Sequence, residues 1–474
     1  MKASLILGLI ATTVAVSPLI ERENAAAATY VDLSSQQGAP QHLATGFIYG
    51  IPDTYNQIPG HFYTDIGFRY GRAGGAQEGA PNQGWIWGFS DYQGRFNSAL
   101  INYKTCREYG ADFIILPHDI WGTDQANSTT VWPGDNGDWT DYENFIHQLM
   151  SDLKANDALE GLVWDIWNEP EGKGFWARSM QQWIELYVLT HKLIRGDQDF
   201  DNVLISGPTL SSAPYPTSVW WTNWMEQVRE NNTIPDQYAY HLEANPGSTV
   251  YDLQNTYPSL NSMLVSYGLP QRQQNINEYA SSKEQIPAGA AWWIARLERY
   301  NVFGLRGNWR SGTTLHDLFA NLLTKSDPFN YTATDYEPAP EYTVYQYYYN
   351  NMTGVRVKTT GSTDLQFDIY ATAQSNGKVR ILSGTQVANG TWSINVENLS
   401  AVGLPTSGTI DIQTWSFPGN QLYNAYYYPT NLGVRSHTYS NNSISFPVYQ
   451  TTDYTAYAFE FSCGDFHELI GSSF

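Results

Sequence analysis

The sequence predicts a TIM (β/α)8 barrel followed by a C-terminal β-sandwich. Two observations carry that expectation. Up to about Pro340, short apolar runs alternate strictly with helix-like stretches; from Tyr342 onward the runs are short and alternating, separated by Asn-Gly and Ser-Gly turns. A chain of 474 residues is long enough for one large and one small domain. The expected division is a leader over 1–28, a catalytic barrel over 29–340 and a sandwich over 341–474, with the stretch from Thr29 to Leu33 as a candidate extra sandwich strand.

The leader comes first. Lys2 precedes the apolar residues 5–11, the pattern of a secretory signal, and Glu21-Arg22-Glu23-Asn24 reads as a short pro-segment. That run is too short to span a membrane, and no later one reaches the ~20 apolar residues a span needs. Asn-x-Ser/Thr acceptors at Asn127, Asn231, Asn330, Asn351, Asn389, Asn398 and Asn441 point to the same secretory route, so a secreted, N-glycosylated chain is expected. Cys106 and Cys463 permit one bridge between the two domains, or two buried thiols.

The barrel strands are expected at residues 46–50, 66–70, 112–116, 162–166, 203–206, 237–240, 274–277 and 302–306. Amphipathic stretches lie between them at 142–153, 176–194, 219–230 and 288–300. The competing topology is an open doubly wound sheet, but no Gly-x-Gly-x-x-Gly turn follows an early strand. The sandwich strands are read from runs such as 365–370, 378–382 and 454–461.

A net charge of −21 repels nucleic acid and anionic membranes, and mildly disfavours polyuronates. The 17 Trp and 34 Tyr suit a carbohydrate partner, since sugar rings stack on such faces, although most must simply fill the core. Chemistry-bearing residues fall at the C-terminal ends of the expected strands, the end at which barrel enzymes place their sites. Arg72 follows the second strand and His118, Asp119 and Trp121 the third; Asn168 and Glu169, in Trp167-Asn168-Glu169-Pro170, follow the fourth. His241 and Glu243 follow the sixth, Glu278 and Tyr279 the seventh, and Trp309 and Arg310 the eighth. Two carboxyls at one mouth, Glu169 and Glu278, suit general acid catalysis, given burial of one and a facing carboxylate. The bland reading of Asn-Glu-Pro is a helix start, and His118 and His241 can equally be structural histidines.

These motifs resemble the clan A retaining glycoside hydrolases, over the barrel from Gly46 to Arg310; the attached sandwich looks most like family 39, or family 30. The resemblance implies Glu169 as acid/base, Asn168 on the sugar 2-hydroxyl and Glu278 as nucleophile. It further implies Arg72 beside that nucleophile, His118 and His241 on the third and sixth strands, and Trp309 as a sugar platform. One position departs. The family 5 pattern has Tyr where this chain has Glu243, which leaves the nucleophile's partner open, with Tyr279 as a candidate. No cofactor or metal is expected: His-x-x-x-His and paired-Cys motifs are absent, as is the Gly-x-Ser-x-Gly elbow of serine hydrolases. The rival readings are a non-catalytic carbohydrate-binding or cell-wall protein on a hydrolase-like scaffold, and a transglycosylase.

Overall fold

The computed structural model describes residues 27–310, 315–374, 377–426 and 428–463; the signal-like leader and His467 lie outside the described residues. Eight parallel strands close into a barrel. In chain order they are Gly46–Ile48, Tyr70–Ala73, Asp112–Ile115, Leu162–Asp165, Leu204–Leu210, Gln237–Leu242, Gln273–Tyr279 and Phe303–Arg306. The first pairs with the eighth through Gly46 and Leu305, which completes the ring. Tyr70, Ile114, Val163 and Leu305 form a small apolar cluster within the strand ring, separate from the larger core between strands and helices.

The second strand lies further along the chain than its apolar residues suggest. Gly67 has φ +60°, and the chain turns there behind the short helix His61–Thr64, so Ile66 and Phe68 enter the core from a turn. Only after that reversal does Tyr70–Ala73 extend, and this carries Arg72 inside the strand. The helix Thr140–Ala155 shows why the periodic stretches were legible. Tyr142, Phe145, Ile146, Leu149, Met150 and Leu153 share one buried face, with Asp141 and Glu143 in the first turn and Lys154 in the last. Two helices to which the sequence reading gave no bounds, Phe89–Glu108 and Leu253–Tyr267, lack that clarity. The first buries polar residues such as Arg95, Ser98 and Asn102, and the second carries Pro258 inside it.

The second sheet has nine strands and curls into a sandwich. Its order is Thr430–Tyr439, Gly408–Phe417, Ala456–Ser462, Lys378–Thr385, Phe367–Ala373, Val355–Thr360, Ala28–Gln36, Gly390–Glu397, Ser443–Gln450. All neighbours are antiparallel except Ala28–Gln36 and Gly390–Glu397, which run parallel. Alternate residues of both layers, among them Val31, Ile369, Ile381, Ile394 and Phe446, fill one core. The strand Ala28–Gln36 therefore belongs to this sheet, although it precedes the barrel in the chain. Conversely the helix Tyr342–Asn350 packs its tyrosines into the barrel's core.

The helix Pro287–Tyr300 is wedged between the two bodies and is buried from Pro287 through Glu298. Close approach is possible because Gly384 of the sandwich has no side chain; a Cβ there would overlap the Ala288 carbonyl oxygen. Fully buried Arg296 in that helix pairs with Asp252 of the barrel at 2.8 Å and with Asp368 of the sandwich. Cys106 and Cys463 are both free thiols. The first is buried behind Gly71, and the second donates to the Gln374 carbonyl at 3.3 Å.

Candidate active site

The floor of the barrel mouth is a buried charge network. Arg72, on the second strand, donates to Glu278 Oε1 at 2.6 Å, to Asp165 Oδ2 at 2.9 Å and to Asn168 Oδ1 at 2.7 Å. Asp165 also accepts from the Thr209 hydroxyl at 2.7 Å and from Asn277 Nδ2 at 2.8 Å. Strands two, four, five and seven are thus tied around one guanidinium whose side chain has no exposure. Its fixed fork suits several acceptors at once, and the two carboxylates raise its pKa further despite burial. Asp165, Thr209 and Asn277 are the residues sequence reasoning missed. Asp165 did carry a signal, as a charged residue closing the apolar run Leu162-Val163-Trp164; Asn277 stands in a strand rich in polar residues and carried none.

Above that floor His241 bridges the two glutamates. Its Nδ1 lies 2.7 Å from Glu169 Oε1 and 3.5 Å from Glu278 Oε2. Carboxylate oxygens of Glu169 and Glu278 lie within 4.8 Å of each other across the mouth. Glu169 sits just past the fourth strand with φ +41°, a conformation an L-residue adopts only when its surroundings impose it. Its N–H donates to the Thr209 carbonyl at 3.0 Å, and Thr209 itself has φ +57°. Two residues on, Glu171 accepts from the Ser212 N–H at 3.0 Å and hydroxyl at 2.8 Å, tying this turn to the loop after the fifth strand.

The electrostatics follow from this crowding. Burial pushes Glu278 above the ordinary glutamate value, against the pull of His241 and Arg72. Burial opposes charge on Glu169 as well, but the hydrogen bond and charge of His241 outweigh it and hold Glu169 below the usual value. Burial would lower His241; the two carboxylates raise it instead. Both shifts favour a charged imidazole beside a charged Glu169 carboxylate.

The other expected residues divide. His118 and Asp119 face each other at 3.0 Å, and Asp119 also accepts from the Tyr49 hydroxyl. Burial raises Asp119, but the His118 charge and the hydrogen bonds bring it below its usual value. Glu243 accepts from the Trp309 indole N–H beside Gly307, joining the sixth and eighth strand ends. Burial and the neighbouring Glu278 push Glu243 well above the ordinary range.

Two residues stand apart from the mouth. Trp121 is 1 % exposed and packs against Trp132 and Trp167, with centroids 5.0 and 5.8 Å away, so it presents no face to a ligand. Tyr279 is fully buried on the outer side of its strand; its hydroxyl donates to the Ala44 carbonyl at 2.8 Å and meets Tyr345 at 2.9 Å. A bulge in the seventh strand, whose register shifts between Ile276 and Tyr279, turns both Asn277 and Glu278 inward and leaves Tyr279 outward. The partners of Glu278 are Arg72 and His241.

The Glu169, His241 and Glu278 donors are also close enough together to ligate a cation, the one such group among the described residues. Their existing contacts to one another and to Arg72 account for the cluster without one.

No family model matches the chain, and no curated protein does. Solved structures share the fold. The protein N2152 of Neocallimastix frontalis is 20% identical with a TM-score of 0.71, over 92% of this chain and 100% of that one. A glucosidase from Croceicoccus marinus is 12% identical with a TM-score of 0.58, over 92% and 99%. The GH39 enzyme of Xanthomonas axonopodis pv. citri is 12% identical with a TM-score of 0.55, over 94% and 99%. The chain is thus built on a scaffold that glycoside hydrolases use, family 39 among them.

Proposed function

We propose that this chain is a secreted, N-glycosylated, retaining glycoside hydrolase acting on a plant or fungal oligosaccharide or polysaccharide. The observation that carries the reading is the pair Glu169 and Glu278, with oxygens within 4.8 Å and one imidazole between them. Carboxyls about 5–5.5 Å apart suit a double displacement, whereas inversion needs room for a water and about 6.5–9.5 Å. Glu278 attacks the anomeric carbon as Glu169 gives its proton to the departing oxygen. That proton is stored on His241 in the free enzyme and reaches Glu169 along their 2.7 Å contact. Water then gives a proton to Glu169 and attacks the anomeric carbon, which releases Glu278 and the sugar with its original configuration.

The test is a panel of aryl glycosides and plant and fungal polysaccharides, with proton NMR of the first product. Release of the retained anomer supports the reading; the inverted anomer would make Glu278 a base. Transfer products at high substrate concentration would favour transglycosylation. Sugar binding without turnover across the panel would favour the binding-protein reading.

The ionisations make a second expectation. Turnover needs Glu278 ionised and a proton on the His241–Glu169 pair. Glu278 is raised from 4.5, so the acid limb of kcat/KM lies above that value. His241 is raised from 6.5, so the alkaline limb lies above that value too. A bell with both limbs displaced upward is expected, and His241→Asn shifts the alkaline limb. A profile that is flat through both regions would remove His241 from the proton path.

A further inference from the structure

We infer that Gln386, a side chain of the sandwich, is a positioning residue for the catalytic mouth; this rests on the glycosidase reading above. Gln386 follows the strand Lys378–Thr385 and is 8% exposed. Its Nε2 donates to Glu284 Oε1 at 2.9 Å, and its Oε1 accepts from the Gly247 N–H at 3.0 Å. Those two partners lie in different catalytic loops. Gly247 belongs to the loop after the sixth strand, four residues beyond Glu243, and that strand carries His241 near its end. Glu284 belongs to the loop after the seventh strand, which carries Glu278 near its end.

The link continues inward. Glu284 is 1% exposed, and its second oxygen accepts from the Ser281 N–H at 2.8 Å and hydroxyl at 2.9 Å, which fixes the turn that follows Glu278. The next residue, Gln285, accepts from the N–H groups of Trp309 at 3.2 Å and Arg310 at 2.9 Å, and donates to the Ala280 carbonyl at 3.1 Å. One amide of the second domain thereby holds the ends of strands six, seven and eight in register. An amide fits this place because it offers a donor to a carboxylate and an acceptor to a backbone N–H at once. The sandwich is in this respect part of the catalytic apparatus: loops placed by a rigid neighbour keep reacting groups aligned, and small misplacements cost rate.

The experiment compares Gln386→Ala with Tyr347→Phe. The second removes another hydrogen bond between the bodies, from Tyr347 to Glu460 at 2.7 Å, without touching a catalytic loop. Gln386→Ala is expected to lower kcat about 10-fold with KM within about 2-fold, and Tyr347→Phe to leave both near wild type. Hydrogen–deuterium exchange is measured on the same proteins. Residues 243–249 and 280–286 are expected to exchange faster in Gln386→Ala alone. Unchanged kcat and unchanged exchange in Gln386→Ala overturn the assignment, as does an equal loss in both variants. Exchange reads out whether or not a glycoside is turned over. An inactive wild type would therefore defeat the glycosidase reading, while the exchange comparison still decides the role of Gln386.

Discussion

Under the proposed double displacement, Glu278→Gln is expected to lower kcat on an aryl glycoside by about 10⁴-fold or more, the scale on which loss of a reacting group acts. The amide is nearly isosteric, but its oxygen is not anionic and cannot form the glycosyl ester. Arg72 keeps Asp165 at 2.9 Å and Asn168 at 2.7 Å in the variant, so its charge stays partly compensated and the fold survives. Sugar binding persists, because only the attacking oxygen has changed character. The direct check is a 2-fluoro glycoside, which should label the wild-type protein on the peptide that contains Glu278 and leave Glu278→Gln unlabelled. Unaltered turnover in Glu278→Gln would remove this residue from the chemistry.

Arg72→Ala has the largest expected effect on stability, about 3–5 kcal/mol, read as a shift in denaturant midpoint at constant slope. The substitution leaves Asp165 buried without its cation and Glu278 with His241 alone at 3.5 Å. Neither carboxylate can turn to water, since Asp165 has no exposure and Glu278 is 5% exposed. Lowering the pH should restore part of the loss, because protonating Glu278, which burial already pushes upward, removes an uncompensated charge. Arg72→Lys is expected to fall between, since an ammonium cannot serve Glu278, Asp165 and Asn168 with the geometry of a planar fork. A loss below about 1 kcal/mol in Arg72→Ala would mean that the network is not the keystone its burial suggests.

Much of the barrel was legible because most strands are short apolar runs with a polar residue at their end. Glu169, Glu278, Arg72 and His241 could be placed by that position alone, and the structure brings them together. What escaped had a physical reason in each case. Ile66 and Phe68 look like a strand, but Gly67 turns the chain between them. Asp165 and Thr209 carry no motif, and their role exists only once strands four and five are neighbours. Trp121 shows the opposite error: it stands at a strand end, yet it faces the helix side and fills the core. Tyr279 failed for a simpler reason, being one residue out of phase with the mouth. Nothing local marks Gln386, which lies in another domain and acts through a contact 102 residues away in sequence.

The strand Ala28–Gln36 has a consequence for how the protein is made. Thr29 donates to the Ser393 carbonyl, 364 residues further along. At about 5–20 residues per second, a ribosome takes roughly 20–70 s to deliver that partner. The whole barrel, through Arg306, emerges in the interval and is free to close, while this first strand waits with both edges bare. Unpaired edges recruit other chains, so this strand is an aggregation hazard throughout the emergence of the barrel. Synonymous changes that slow translation between the two domains would lengthen that wait and are expected to lower the soluble yield without altering the folded protein.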